Sequence, residues 1–238
     1  MQQQALEIPV TPRYGFTDFI PCSGNATALD FAHRVISVKE PEKLLYIYGP
    51  SGSGKTHLLN AVAGSLSREG CRVIKCSDLA GINPELAHKL LSVGKGMILD
   101  DLDILPPSPC SRNAVWEAFN RHHSAGHPVV MAGRFHPKEM KNLDDHLVSR
   151  LMWGLVASMD ISDDNSRKML IAKLAADRQI LLPEEVAAWL VTALPRDLGS
   201  LAGACESLYR AALEQKRKIS LRLAKELFAS HQKPEGVR

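Results

Sequence analysis

Hydrophobic residues fall into two kinds of run along this chain, short and mainly apolar blocks and longer stretches spaced three or four apart. The blocks are 44–48, 72–76, 96–99, 128–132 and 154–159. Each reads as a buried strand, because a strand covered on both faces shows no polar side. Between them, Ala28, Leu29, Ala32, Val35 and Ile36 predict a helix over 26–38. Further helices are expected from His57 to Ala63, over 84–92, and over 113–122, where Val115, Trp116 and Phe119 share one face. Strands alternating with helices imply a parallel sheet covered on both sides, with any site at the carboxyl ends of the strands. From Ser162 onward the spacing is wholly helical. Helices are expected over 167–179, over 184–192 opened by Pro183, over 197–214, and over 221–230 capped by Ser220. The chain thus divides into a short lead (1–12), an α/β domain (13–161) and a small all-helical domain (162–238).

One loop carries chemistry that the pattern alone does not. Gly49-Pro50-Ser51-Gly52-Ser53-Gly54-Lys55-Thr56 fits the phosphate-binding loop G-x-x-x-x-G-K-[ST], with the expected strand before it and helix after it. Its glycines let the backbone wrap a polyphosphate so that N–H groups converge at a helix N-terminus. Lys55 is expected to reach the β- and γ-phosphates and the Thr56 hydroxyl to ligate Mg²⁺. His57 closes this nucleotide-binding set. About fifty residues on, the strand over 96–99 ends in Asp100-Asp101. We assign Asp100 to the metal, through water, and Asp101 to orienting an attacking water. ATP or ADP with Mg²⁺ is therefore the expected ligand.

Composition narrows the partners little. A net charge of +3 is too small to argue for nucleic acid, and Lys216-Arg217-Lys218, the densest basic cluster, reads as a solvated turn. His122, His123 and His127 lack a thiol or acidic partner at ligand spacing and read as a solvated helix end. The five cysteines are odd in number, without C-x-x-C spacing, and read as reduced thiols. With neither a signal pattern nor an apolar run of membrane-spanning length, cytoplasm is the expected compartment. The lead either starts the chain as a flexible segment or docks on a partner through Gln4, Leu6 and Ile8. Tyr14, Phe16 and Phe19 either cover a base or pack into the core.

Taken in order, these motifs resemble the AAA+ ATPases, and among them the family of the bacterial replication initiator DnaA. The resemblance rests on the phosphate loop, the Asp-Asp strand, Pro137-Lys138-Glu139, Ser149-Arg150, Trp153-Gly154-Leu155 and Leu194-Pro195-Arg196-Asp197-Leu198. Tyr14-Gly15-Phe16-Thr17-Asp18-Phe19 is similar to the family's segment beside the adenine. It implies a P-loop AAA+ core followed by a helical lid. It further implies that Arg150 is an arginine finger entering a neighbour's site, where a fixed cationic fork is worth on the order of 10³–10⁵ in rate. Arg196 corresponds to the lid arginine that contacts the protein's own nucleotide.

Several departures point toward Hda-type regulators, relatives of the initiator that bind the replicative sliding clamp. The sequence stops after the lid, without a helix-turn-helix domain, and the span from Cys76 to the Asp-Asp strand leaves little room for the initiator's helical insertion. The segment Leu6-Glu7-Ile8-Pro9-Val10 is similar to the Hda start, with Gln4 offset by one position from the clamp-docking peptide. Ala132-Gly133-Arg134 replaces the polar sensor and Asp usual in the family, and His146 replaces an intersubunit arginine. These changes predict firm nucleotide binding with slow intrinsic hydrolysis. Two functions are expected in competition. One is a regulator that promotes hydrolysis of ATP held by a DnaA-type initiator. The other is a self-oligomerising loader or adaptor on single-stranded DNA. Neither sequence-specific DNA binding nor membrane association is expected.

Overall fold

The computed structural model describes residues 14–177, 179–195 and 198–229. Five strands, β1 (Leu44–Tyr48), β2 (Val73–Lys75), β3 (Met97–Asp100), β4 (Val129–Gly133) and β5 (Leu155–Ser158), form one parallel sheet in the order β2-β3-β4-β1-β5. The helices are α1 (Ala26–Ile36), α2 (Lys55–Ser65), α3 (Pro84–Leu91), α4 (Pro109–Ser124), α5 (Asp145–Leu151), α6 (Asp164–Asp177), α7 (Glu184–Ala193), α8 (Leu198–Glu214) and α9 (Leu221–Phe228).

Side chains alternate along each strand, so every apolar block feeds two cores. In β1, Leu44 and Tyr46 turn to the side covered by α3, α4 and α5, together with Leu99 and Met131. Leu45 and Ile47 turn to the side covered by α1 and α2, together with Ile98 and Val130. A third core lies wholly within α6–α9, around Ile171, Leu190, Leu201, Leu208 and Leu223. The architecture is that of an AAA+ α/β core followed by a helical lid.

Most differences from the sequence reading are at boundaries. Helix α4 begins at Pro109, four residues earlier than expected, because the Ser108 hydroxyl accepts from Ser111 N and Pro109 fits the first helical turn. The last residue expected in the second strand, Cys76, instead opens a 3₁₀ turn. One reading is overturned. His122 does not lie at a solvated helix end; it is buried, with Nε2 3.1 Å from Leu91 O and Nδ1 3.3 Å from His127 Nδ1. Burial lowers its pKa, so it serves as a neutral polar tie between α4 and α3. His123, by contrast, is exposed.

Candidate nucleotide site

The loop after β1 is anchored at both ends. Gly49 N–H donates to Gly133 O at 3.3 Å, at the end of the neighbouring β4. Gly54 closes the loop with φ +93°, a left-handed turn that starts α2 and that a side chain would strain. Lys55 then begins the helix. Its side chain is folded back, 6% exposed, and Nζ donates to Gly49 O and Pro50 O at 2.7 Å each, with Ser53 Oγ at 3.4 Å. Burial lowers the Lys55 pKa, opposed by the negative charges of Asp100 and Asp101.

Strand β3 delivers the acids. Asp100 is fully buried; its Oδ2 accepts from the Thr56 hydroxyl at 2.6 Å and its Oδ1 from Asp101 N at 2.9 Å. Asp101 takes a left-handed conformation, φ +55°, that turns the chain out of the sheet. Its carboxyl pKa is raised, mainly by burial and then by Asp100 and Asp103, against the pull of Lys55. Ser51, Gly52, Gly54, Lys55, Thr56, Asp101 and Arg134 line a cavity of about 240 Å³.

Arg134 follows β4. Its main-chain N–H donates to Asp103 Oδ1 at 2.9 Å and its Nε lies 3.5 Å from Asp103 Oδ2. The Asp103 side chain is 7% exposed and that of Arg134 55%. Neither Asp103 nor this ion pair was legible in the sequence. The only signal was a third acid, two residues beyond the Asp-Asp tip, in the 3₁₀ turn 102–104. Gly133 lets the pair form. A Cβ there would stand 2.4 Å from the Tyr46 hydroxyl and 3.3 Å from Asp103 Oδ1. That hydroxyl is buried and donates to Phe135 O at 2.8 Å, and burial raises its pKa.

The remaining expected site residues lie apart from the cavity or beyond description. His57 is half-buried, with Nε2 3.3 Å from Gly15 O and its ring edge-on to Tyr14 and Phe19 at 5.3 Å each. It thus joins the opening aromatic segment rather than the cavity lining, and burial lowers its pKa. Arg150, near the end of α5, is absent from the cavity lining as well; its guanidinium carbon sits 4.0 Å over the Trp153 ring, and Trp153 is 62% exposed. Gln4, Leu6, Ile8 and Arg196 lie outside the described residues.

Chemically, the cavity joins one ammonium, one guanidinium and the N–H groups of a helix start, a donor set that fits a polyphosphate. The Thr56 hydroxyl and the Asp100 carboxylate beside it are oxygen donors of the kind that suit a hard divalent cation.

Comparison with known proteins agrees with this architecture. The family model of the bacterial DnaA ATPase domain matches residues 10–77 and 85–158, and that of the Hda lid domain matches 163–228. The chromosomal replication initiator protein DnaA of Helicobacter pylori (strain HPAG1) is 27% identical over 241 residues, covering 97% of this chain and 53% of that protein. The chain thus spans about half the length of the curated relatives it matches. Domain III of the Thermotoga maritima replication initiation protein DnaA superposes with a TM-score of 0.81 at 27% identity, covering 95% of this chain and all of that one. A replication initiator DnaA solved with AMPPCP and single-stranded DNA has the same fold, with a TM-score of 0.75 at 23% identity over 87% of this chain and 69% of that one.

Proposed function

Since the chain belongs to the family of bacterial DnaA ATPase domains, we propose that it is a nucleotide-binding regulator of chromosomal replication initiation. In this reading it promotes hydrolysis of ATP held by a DnaA-type initiator. The observation that carries the proposal is a separation of two chemistries on one fold. Lys55, Thr56 and Asp101 line one cavity, with Asp100 buried behind the Thr56 hydroxyl, while Arg150 is presented elsewhere, beside an exposed tryptophan.

The two halves have different tasks. Lys55 and the loop N–H groups bind the phosphates of ATP or ADP; Thr56 and Asp100 would hold Mg²⁺, which supplies charge neutralisation at the phosphate oxygens. Ala132-Gly133-Arg134 leaves the site without the polar sensor side chain that helps position an attacking water, so the chain's own hydrolysis is slow. Arg150 serves the partner. Its guanidinium stabilises charge in the initiator's site, and the flat face of Trp153 is a stacking surface that orients it. Arg196 of the lid contacts the protein's own nucleotide, and Gln4, Leu6 and Ile8 dock on the sliding clamp.

The test is phosphate release from ATP-loaded DnaA-type initiator with clamp-loaded DNA, with and without this protein. Acceleration that disappears with Arg150→Ala supports the regulator. No acceleration, together with ATP turnover that rises with this protein's own concentration on single-stranded DNA, favours the self-assembling alternative.

A further inference from the structure

We propose that His122 and His127 form a binding site for a transition-metal dication of the zinc class. The site lies apart from the nucleotide cavity and does not depend on the function proposed above.

The end of α4 brings the two rings together. Gly126 N–H donates to His123 O and His127 N–H to His122 O, both at 3.0 Å, while Gly126 takes φ +68°. This is a Schellman cap, in which the side chains at 122 and 127 meet, a contact usually made by an apolar pair. Here both are imidazoles, with their Nδ1 atoms 3.3 Å apart. The first ring is also fixed from behind. His122 is buried and its Nε2 lies 3.1 Å from Leu91 O. A carbonyl only accepts, so the ring proton sits on Nε2, and the lone pair of the neutral ring sits on Nδ1, facing His127. Metal-bound histidines are held in this way, with the other nitrogen donating to a carbonyl or carboxylate.

The spacing agrees as well. Two nitrogens, each about 2.0–2.1 Å from a tetrahedral ion, stand roughly 3.3–3.4 Å apart. Without metal, His127 donates its Nδ1 proton to His122; with metal, that proton moves to Nε2, and the partly exposed ring can donate it to water. Imidazole nitrogens suit zinc, nickel and copper rather than magnesium or calcium. Among the described residues no third His, Cys, Asp or Glu joins the pair, so water completes the coordination. The Arg121 charge next along α4 acts on His122 and opposes a cation there. Two ligands under that repulsion set a modest Kd, about 1–100 µM, far weaker than a four-ligand structural site. The pair stands before β4 and the nucleotide cavity beyond its far end, about 15–20 Å away along the strand.

Calorimetric titration of the full chain with Zn²⁺ alone, after chelator treatment and desalting, tests this, with melting curves confirming that each variant is folded. The unaltered chain should take up zinc with a Kd of about 1–100 µM and melt at a higher temperature with it. His127→Ala leaves the bond from His122 to Leu91 in place and should weaken zinc binding at least about 10-fold. His123→Ala, which removes an exposed neighbour, should bind as the unaltered chain does. Nitrogen NMR of the imidazoles should place the metal on the Nδ1 atoms of both rings. No zinc bound below about 1 mM, or binding that His127→Ala leaves unchanged, would overturn the proposal and leave the pair as a hydrogen bond alone. Either result would leave the nucleotide reading untouched.

Discussion

At the scale of single residues, the acidic cluster beyond β3 gives the sharpest prediction. Asp101 is half-buried beside Asp100 and Asp103, and its pKa is raised above the ordinary carboxylate value. A raised carboxyl pKa means that the folded protein holds a proton the unfolded chain has already released. Stability is therefore fullest below the unfolded pKa and declines as pH rises through the folded one. Asp101→Asn removes this penalty and keeps the left-handed turn, which Asn tolerates. The variant should melt higher at pH 7–8 in differential scanning calorimetry, with the gain shrinking toward pH 4. A gain independent of pH would show that the charge is not its cause. The sequence revealed Lys55, Thr56, Asp100 and Asp101 because loop spacing and a strand tip fix them locally. It concealed Asp103 and His122, whose roles come from partners 31 residues away in each case, Arg134 and Leu91.

At the scale of elements, the lid is held by a charge that periodicity did not announce. Arg167 is fully buried on α6; its Nη1 donates to Val191 O, and its Nη2 to Leu194 O at 3.5 Å and Pro195 O at 3.1 Å. It ties α6 to the end of α7, immediately before the Arg196 position. In sequence it reads as a helix-start arginine, and only the fold of the lid turns it inward. Arg167→Met keeps the volume but leaves those carbonyls without their donor, and should cost about 1–3 kcal/mol by urea unfolding. In the α/β part, Gly154 lies in the turn between α5 and β5, packed close against Leu44. A Cβ there would lie 2.5–2.6 Å from Leu44 side-chain carbons and its carbonyl oxygen. Gly154→Ala should therefore displace the turn that carries Arg150 and Trp153. Arg150-dependent phosphate release should fall although Arg150 itself is unchanged, and full retention would show that the turn absorbs the methyl group.

At the scale of the whole molecule, strand and helix order were legible from apolar blocks and helical spacing, since the central strands β1, β3 and β4 are buried on both faces and the edge strands β2 and β5 in part. Strand order in space was not, because β1 pairs with β4 and β5 rather than with β2, and only the connections decide this. Two cores lie on opposite faces of the sheet, while the third lies within the lid. Saturating Mg·ATPγS, at about 100 times its Kd, should add about 2.7 kcal/mol to the stability of the part that binds it. In calorimetry the upward shift should vanish in Lys55→Ala, and a shift that survives would move the phosphate site elsewhere.

The contact between Gly133 and the Tyr46 hydroxyl also bears on how the site can change over generations. No side chain fits at position 133 without breaking the bond from Tyr46 to Phe135. Ala132 is fully buried in the core beneath α2, so it cannot reach the cavity either. Whatever the end of β4 offers to a ligand must then be altered at residue 134. With Tyr46 in place, this edge of the pocket is retuned most directly through residue 134, and Asp103 would be expected to change in step with it.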